Sequence, residues 1–134
     1  MVTRRMPRVE AVLLPILRDA FPGVQVVSVI PDVDHRSYPL VNVRRIGGLA
    51  VAMDGLDRAT VEVLAFTTDG YAETQDLYMD VRQAIWDAVD QQTVTDAGYL
   101  HSFTESVGPM ATSSTFDDTW LVQGLIQLGV RPPR

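Results

Sequence analysis

The sequence predicts an α+β fold: a mixed, mostly antiparallel sheet of about five strands packed by two helices, in the order α-β-β-β-α-β-β, with long protruding loops. Three observations predict this class. Apolar residues recur at helical spacing in residues 9–20 and 70–92. Shorter runs rich in β-branched residues lie between turn-forming residues, as strands do. Most of these strands follow one another directly along the chain, which favours antiparallel pairing.

The composition limits both size and function. A chain of 134 residues suits one domain spanning residues 1–134, and 46% hydrophobic against 21% charged residues is typical of a globular protein. Its net charge of −6 argues against nucleic acid or an anionic membrane as the main partner. All 11 basic residues are arginine. The absence of cysteine excludes disulfides, thiolate metal sites and cysteine nucleophiles, and no apolar run reaches the length of a membrane span.

The first helix and first strand have ordinary signals with one irregularity. Thr3 is a suitable N-cap, and Pro7 suits the first turn of the helix. Pro15 lies inside the helical pattern, so we expect it to kink or split the helix. The β-branched run "VQVVSVI", Val24–Ile30, predicts the first strand.

The middle of the chain predicts a hairpin. Strands are expected over Leu40–Ile46 and Thr60–Thr67, and the pair Asp54-Gly55 is a tight-turn signal between them. The pair Gly47-Gly48 suggests a bulge or break at the base of the hairpin. The apolar segment "LAVAM", residues 49–53, then falls where a loop tip is expected.

The second half of the chain predicts a long helix and two strands. Asp69 is a candidate cap for a helix over Gly70–Gln92. Strands are expected over Tyr99–Val107 and residues 119–130. Between them, "GPMATSSTFDD" is expected to form a long polar connection.

The residue pattern does not support catalysis. Asp32, Asp34 and His35 could hold a metal ion, but turn chemistry explains both aspartates equally well, and we expect no metal there. The serines and threonines of "MATSSTF" have no nearby histidine, and no phosphate-binding glycine loop is present. We therefore expect neither an enzyme nor a cofactor.

Two charged features raise the question of a partner. Arg44 and Arg45 are neighbours in a strand, so their side chains point to opposite faces, and one points to the face expected to be covered. The long helix carries aspartates along one narrow face, where they repel one another. Either these aspartates form a solvated outer face, or arginines from another surface relieve their repulsion. These aspartates are Asp76, Asp80, Asp87 and Asp90.

Apolar residues in or beside long loops suggest binding, because long loops on a compact domain are commonly functional. Trp120 is expected instead to be a core residue. The candidate docking residues of these loops are Met53, Asp54, Arg58, Met110, Thr112 and Phe116.

Local patterns over nearly the whole chain resemble the tail terminator proteins of long-tailed (siphovirus-type) bacteriophages. The opening "MPRVEAVLLPILRDAFPGVQVVSVIP" looks like the family's helix and first strand, and "VNVRRIGG" is similar to its valine-rich strand ending in arginines and glycines. The segment "VEVLAFTTDGYAETQDLYMDVRQAIWDAV" resembles its strand and long helix. "FTESVGPMATSSTFDDTWLVQGLIQLGVRP" resembles its last two strands around a long loop.

The resemblance implies a structural protein of the virion, at the head–tail junction, assembled in the host cytoplasm. Such proteins form a hexameric ring on the head-proximal end of the tail tube, end tube growth and provide the docking surface for the head connector. The implied partners are further copies of the chain, the major tail tube protein and the head–tail connector or stopper protein. DNA would pass through the bore without specific binding, and no membrane is involved.

In such a ring, Arg44 and Arg45 would contact the neighbour's acidic helix at Asp76, Asp80 and Asp87, or else pair within the chain with Asp69 or Glu62. Three other functions stay open. One is another head–tail joining or minor tail protein. The second is a small ligand-binding regulatory domain, and the third is an enzyme that uses a divalent metal at the loop of Asp32, Asp34, His35 and Arg36.

Overall fold

The computed structural model describes residues 5–51 and 55–133 and confirms the α+β class and the order of its elements. Neither described helix has the length and apolar character that crossing a membrane requires. A short 3-10 turn, Val33–His35, lies between the first two strands. The helices and strands are α1 Val9–Ala20, β1 Gln25–Val27, β2 Leu40–Val51, β3 Leu56–Thr67, α2 Tyr71–Asp90, β4 Tyr99–Thr112 and β5 Trp120–Arg131.

The five strands form one sheet in the order β1-β2-β3-β5-β4. Among the described strands only β1 and β2 pair in parallel, so the prediction of a mixed, mostly antiparallel sheet is confirmed. β1 pairs with Leu40, Val41 and Asn42 alone, so no described strand covers the rest of the outer edge of β2, where the Arg45 amide donates to the Glu10 carboxylate at 3.2 Å. At the opposite side of the sheet, β4 is the other edge strand.

The two helices pack on one face of the sheet, and this layer holds the main core. Strand residues on that face alternate with residues of the other face, as the period of two requires. Fully buried examples are Val43, Val61, Ile126 and Leu128 from the sheet, with Leu13, Leu17, Val81 and Ile85 from the helices.

The other face of the sheet is covered at one end only. There Leu40, Phe66 and Leu121 form a small buried cluster beneath the connections 28–39 and 113–119. The Phe116 ring contacts the Phe66 ring, with centroids 5.4 Å apart. The rest of this face is more polar and carries Arg44, Glu62, Arg58 and Gln127 on neighbouring strands.

A bulge lengthens the central hairpin. The pairing of β2 with β3 shifts between Arg45 and Gly47, which confirms the predicted irregularity. Gly48 has φ 107°, and a Cβ there would lie 2.0 Å from the carbonyl oxygen of Arg58, so only glycine fits. Because pairing resumes after the bulge and continues to Val51, the prediction that β2 ends at Ile46 was wrong. Met53 and Asp54, at the predicted loop tip, lie outside the described residues.

α1 is one continuous helix, so the predicted split at Pro15 does not occur. Pro15 is exposed, and Ala11, whose carbonyl loses its amide partner to the proline, is only partly buried. Pro7 precedes the helix instead of lying in its first turn, because the N-cap is Arg8. Thr3 lies outside the described residues.

The predicted cap of α2 was wrong. The helix starts after Gly70, whose φ is 146°, and Asp69 makes no capping hydrogen bond. Hydroxyl groups organise this turn: the Thr67 and Thr74 oxygens are 2.8 Å apart, and the Thr74 hydroxyl donates to the Gly70 carbonyl at 2.6 Å.

Two strand boundaries and the burial of one tryptophan differ from the sequence prediction. β4 continues to Thr112, because its register shifts between Val107 and Met110 accommodate Gly108-Pro109 as a bulge. β1 is shorter than Val24–Ile30, since β2 offers it only three partners. Trp120 is 43% exposed at the start of β5 and is not the core residue expected.

Candidate assembly surfaces

Of the two neighbouring arginines of β2, the one on the helix-covered face forms an ion pair within the chain. Arg45 projects to the helix-covered face and makes a two-point ion pair with Asp57, with Nη2 and Oδ1 2.9 Å apart and a second contact between Nη1 and Oδ2. These hydrogen bonds raise the pKa of Arg45 above its usual range. Asp57 is only 5% exposed and the Arg45 side chain is 29% exposed, so a partly exposed cation neutralises a buried carboxylate.

Arg44 points to the opposite face and is held more loosely. Its Nη2 lies 3.4 Å from the Glu62 carboxylate across the sheet, and 57% of its side chain is exposed. An intrachain pair with Glu62 was one of the two possibilities that the sequence left open, whereas Asp57 was not foreseen. The contact of either arginine with a neighbouring subunit stays a prediction.

The acidic stripe of α2 faces solvent along its length. Its aspartates are exposed, and the Gln83 amide donates to the Asp87 carboxylate at 2.9 Å. The stripe consists of Asp76, Asp80, Asp87 and Asp90 on the side of the helix turned away from the core. Its role at a subunit contact also stays a prediction.

The predicted docking residues do not form one cluster of loops. Arg58 is exposed but belongs to β3, and Met110 and Thr112 belong to the edge strand β4, so their assignment to loops was wrong. Phe116 does lie in a connection, where it is half-buried. The Arg36 guanidinium carbon lies 3.8 Å from the centre of its ring, a cation–π contact that joins the two connections at this end of the sheet.

The loop considered for metal or ligand binding lies open to solvent. His35 Nδ1 is 2.7 Å from Asp32 Oδ1, yet both side chains are more than 70% exposed. Arg36 turns away from them, and its guanidinium donates to the Pro31 carbonyl at 3.0 Å and 3.2 Å. Within the described residues, no group of three or more acidic, histidine or cysteine side chains is arranged to hold a metal ion.

Sequence reasoning missed an aromatic patch on the flank of the sheet formed by α2 and β4. The Trp86 ring stacks on the Phe103 ring with centroids 5.7 Å apart and planes 17° apart, yet Trp86 is 54% exposed. Beside it, the Arg82 Nη1 lies 2.9 Å from the Glu105 carboxylate and ties the helix to the edge strand. The helical pattern contained a signal, since Trp86 falls outside the buried stripe of α2.

The pH dependence of stability above pH 10 tests the packing of Tyr78, on α2, beside Glu105, on β4. It is 1% exposed, and its hydroxyl lies 3.5 Å from Glu105; burial and then the negative charge of Glu105 raise its pKa to about 12. Its contribution to stability is therefore complete below about pH 10, the ordinary value, and is lost as the pH rises towards 12. We expect urea unfolding to show a steeper loss of stability between pH 10 and 12 for the wild type than for Tyr78→Phe. Equal pH slopes would contradict the assignment.

Comparisons with known proteins identify a family model, two phage relatives and a solved structure of the same fold. The family model described as "Phage tail termination protein" matches residues 5–134. The "Gene 22 protein" of Mycobacterium phage L5 is 47% identical over 136 residues, covering 97% of this chain and 96% of the relative. The protein of the same name from Mycobacterium phage D29 is 45% identical over 133 residues, covering 96% of each. A chain of the virion of a native gene transfer agent particle has the same fold, with TM-score 0.60, 16% identity and coverage of 92% and 94%.

Proposed function

This chain belongs to the phage tail termination protein family, and from that membership we propose that it ends growth of the tail tube by forming a ring on the tube's head-proximal end. The ring consists of six copies and presents its other side to the head–tail connector or stopper protein. The protein acts as a structural component of the virion at the head–tail junction, after assembly in the host cytoplasm. The family match over residues 5–134 is the observation that carries this proposal.

The shape of the sheet supports a ring. Its two edges differ, since one is β4 beside α2 and the other is the outer part of β2. Unpaired edges are normally covered or otherwise protected. When two different surfaces of one chain meet between copies, the contact is heterologous, and copies related by a suitable rotation close into a ring.

The charges give such a contact a direction. The stripe of Asp76, Asp80 and Asp87 faces solvent on α2, and Arg44 is largely exposed on β2. We assign Arg44 of one copy to the acidic stripe of the next. Arg45 is held by Asp57 and acts by keeping β2 in place, so a charge reversal at Arg45 would damage the fold as well as any ring.

The ends of the strands are the proposed docking regions for the tube and the connector. The connection containing Phe116 lies at one end of the sheet, and Arg58 lies near the other, close to the hairpin of β2 and β3. Met110 and Thr112 extend the first region along β4. DNA passes through the bore without specific binding, consistent with a net charge of −6 that limits lasting phosphate contacts.

Tube polymerisation tests the proposal directly. Purified protein is mixed with polymerising subunits of the tail tube protein from the same phage, and tube ends are examined by negative-stain microscopy. We expect ring-shaped caps on one end of each tube and shorter tubes as the protein concentration increases. Uncapped tubes of unchanged length would contradict termination, and caps that leave length unchanged would favour a joining role instead.

A further inference from the structure

We propose that the stacked Trp86–Phe103 pair, with Met79, is the apolar anchor of the contact between neighbouring copies, and that it receives Ile46 and Leu49 of the next copy. The proposal rests on the ring described above and names the residues at its centre. The first three residues are called the aromatic patch below, and the last two the aliphatic patch.

The aromatic patch is unusual for a surface that stays in water. Trp86 is 54% exposed and Met79 is 38% exposed, although large apolar side chains of this kind are usually buried more deeply. The stacking on Phe103 fixes the orientation of the Trp86 ring before any partner binds. Arg82 holds the neighbouring surface through Glu105, and its Nη2 contacts the Met79 sulfur at 3.0 Å. Rigid, exposed aromatic side chains are typical anchors of protein interfaces because little conformational entropy is lost on binding.

The aliphatic patch lies at the opposite edge of the same sheet. Leu49 is 79% exposed and Ile46 is 48% exposed, and both belong to the part of β2 that extends beyond β1. The bulge before Gly47 and the close backbone approach at Gly48 keep this segment in the sheet, so the two side chains are held on a paired strand. An apolar surface on each outer edge suits contacts between copies arranged side by side.

Charge complementarity selects a second copy as the occupant. The aromatic patch lies beside the exposed aspartates of α2, including Asp87 and Asp90. Near the aliphatic patch, Arg44 is 57% exposed, and Arg58, the cross-strand partner of Leu49, is also exposed. The acidic groups on this second flank, Glu62 and Glu10, are only partly exposed and contact Arg44 and the Arg45 amide. The exposed charges are therefore acidic beside the aromatic patch and basic beside the aliphatic patch. Such surfaces attract each other and oppose pairing of two like flanks.

Matched substitutions test the anchor in the tube-capping assay. We expect Trp86→Ser and Leu49→Ser each to need roughly thirtyfold more protein for capping, as loss of an interface hot spot predicts. Val94→Ser removes a side chain that is 50% exposed on the connection between α2 and β4, outside both patches and the proposed docking regions, and we expect normal capping. Circular dichroism of each variant checks that it is folded. If Trp86→Ser and Leu49→Ser both cap tubes as well as the wild type does, the proposed anchor is wrong while the proposed function stands.

Cysteine cross-linking tests the same contact without removing the anchor. Because the chain has no cysteine, introduced thiols are the only ones present. Gln83 and Ala50 are exposed and lie beside the two patches, so Gln83→Cys with Ala50→Cys in one chain should give a ladder of linked copies when capped tubes are treated with a short bismaleimide. The control pairs Gln83→Cys with Thr115→Cys, at an end of the sheet, and should give no ladder. The proposal would be overturned if only the control gave a ladder. It would also be overturned if capped tubes gave no ladder with either pair of cysteines.

Discussion

Replacing Arg45 with methionine is expected to lower the free energy of unfolding by about 3 kcal/mol, because the substitution leaves the Asp57 carboxylate buried without its cation. Asp57 is 5% exposed and receives two hydrogen bonds from the Arg45 guanidinium. Methionine retains much of the aliphatic packing of arginine, so the loss reports mainly on charge. Urea denaturation of the purified protein measures it.

Arg44 provides the matched control, since it is the next residue of the same strand. Its contact with Glu62 is longer, at 3.4 Å, and its side chain is 57% exposed. Arg44→Met should therefore cost less than about 1 kcal/mol. The double variant Arg45→Met with Asp57→Leu should recover most of the stability, because it removes both charges together. Equal losses for the two single arginine variants would show that the buried pair has no special role.

Adding one methyl group at Gly124 is expected to lower the free energy of unfolding by roughly 3 kcal/mol or more, through overpacking of a complete core. Gly124 lies on β5 beneath α2, and a Cβ there would be 1.9 Å from the Tyr78 oxygen and 2.5 Å from its Cζ. Tyr78 is 1% exposed, so its ring has little room to move away. Thermal unfolding followed by circular dichroism measures the effect of Gly124→Ala.

A smaller side chain at position 78 should reverse the effect. Tyr78→Leu alone costs stability by opening a cavity, but combined with Gly124→Ala the added methyl group occupies part of that space. We therefore expect the double variant to be more stable than Gly124→Ala alone. Gly47→Ala is the control, because a Cβ there meets no atom within 4 Å, and we expect a change within about 0.5 kcal/mol. A Gly124→Ala protein as stable as Gly47→Ala would contradict the packing described.

The fold was predictable wherever periodicity was strong. The buried stripe of α2 and the valine-rich strands follow directly from spacing, and the structure confirms them. The ends of the strands were not predictable in the same way. Gly47-Gly48 and Gly108-Pro109 suggest interruption, yet in both cases a bulge lets pairing continue on the other side. The local sequence indicates that the hydrogen bonding between strands is interrupted. Whether pairing continues beyond the interruption depends on the partner strand.

The candidate surfaces were harder to predict from the sequence pattern than the fold, because they depend on tertiary contacts. The sequence showed that one of Arg44 and Arg45 had to point towards the covered face, but not that Asp57 would meet it across the hairpin. That pairing depends on the one-residue shift at the bulge, which brings Asp57 level with Ala50 and near the Arg45 side chain. The aromatic patch could not be predicted from spacing alone, because Trp86 meets Phe103 only when α2 packs against β4.

The position of β5 has a consequence for synthesis of the protein. β5 follows β4 in the chain but lies between β3 and β4 in the sheet, and it is the partner through which β4 joins the other strands. A nascent chain that stops before β5 has emerged from the ribosome therefore cannot attach β4 or complete the layer under α2. The flank that carries Phe103 is therefore complete only after β5 has been synthesised.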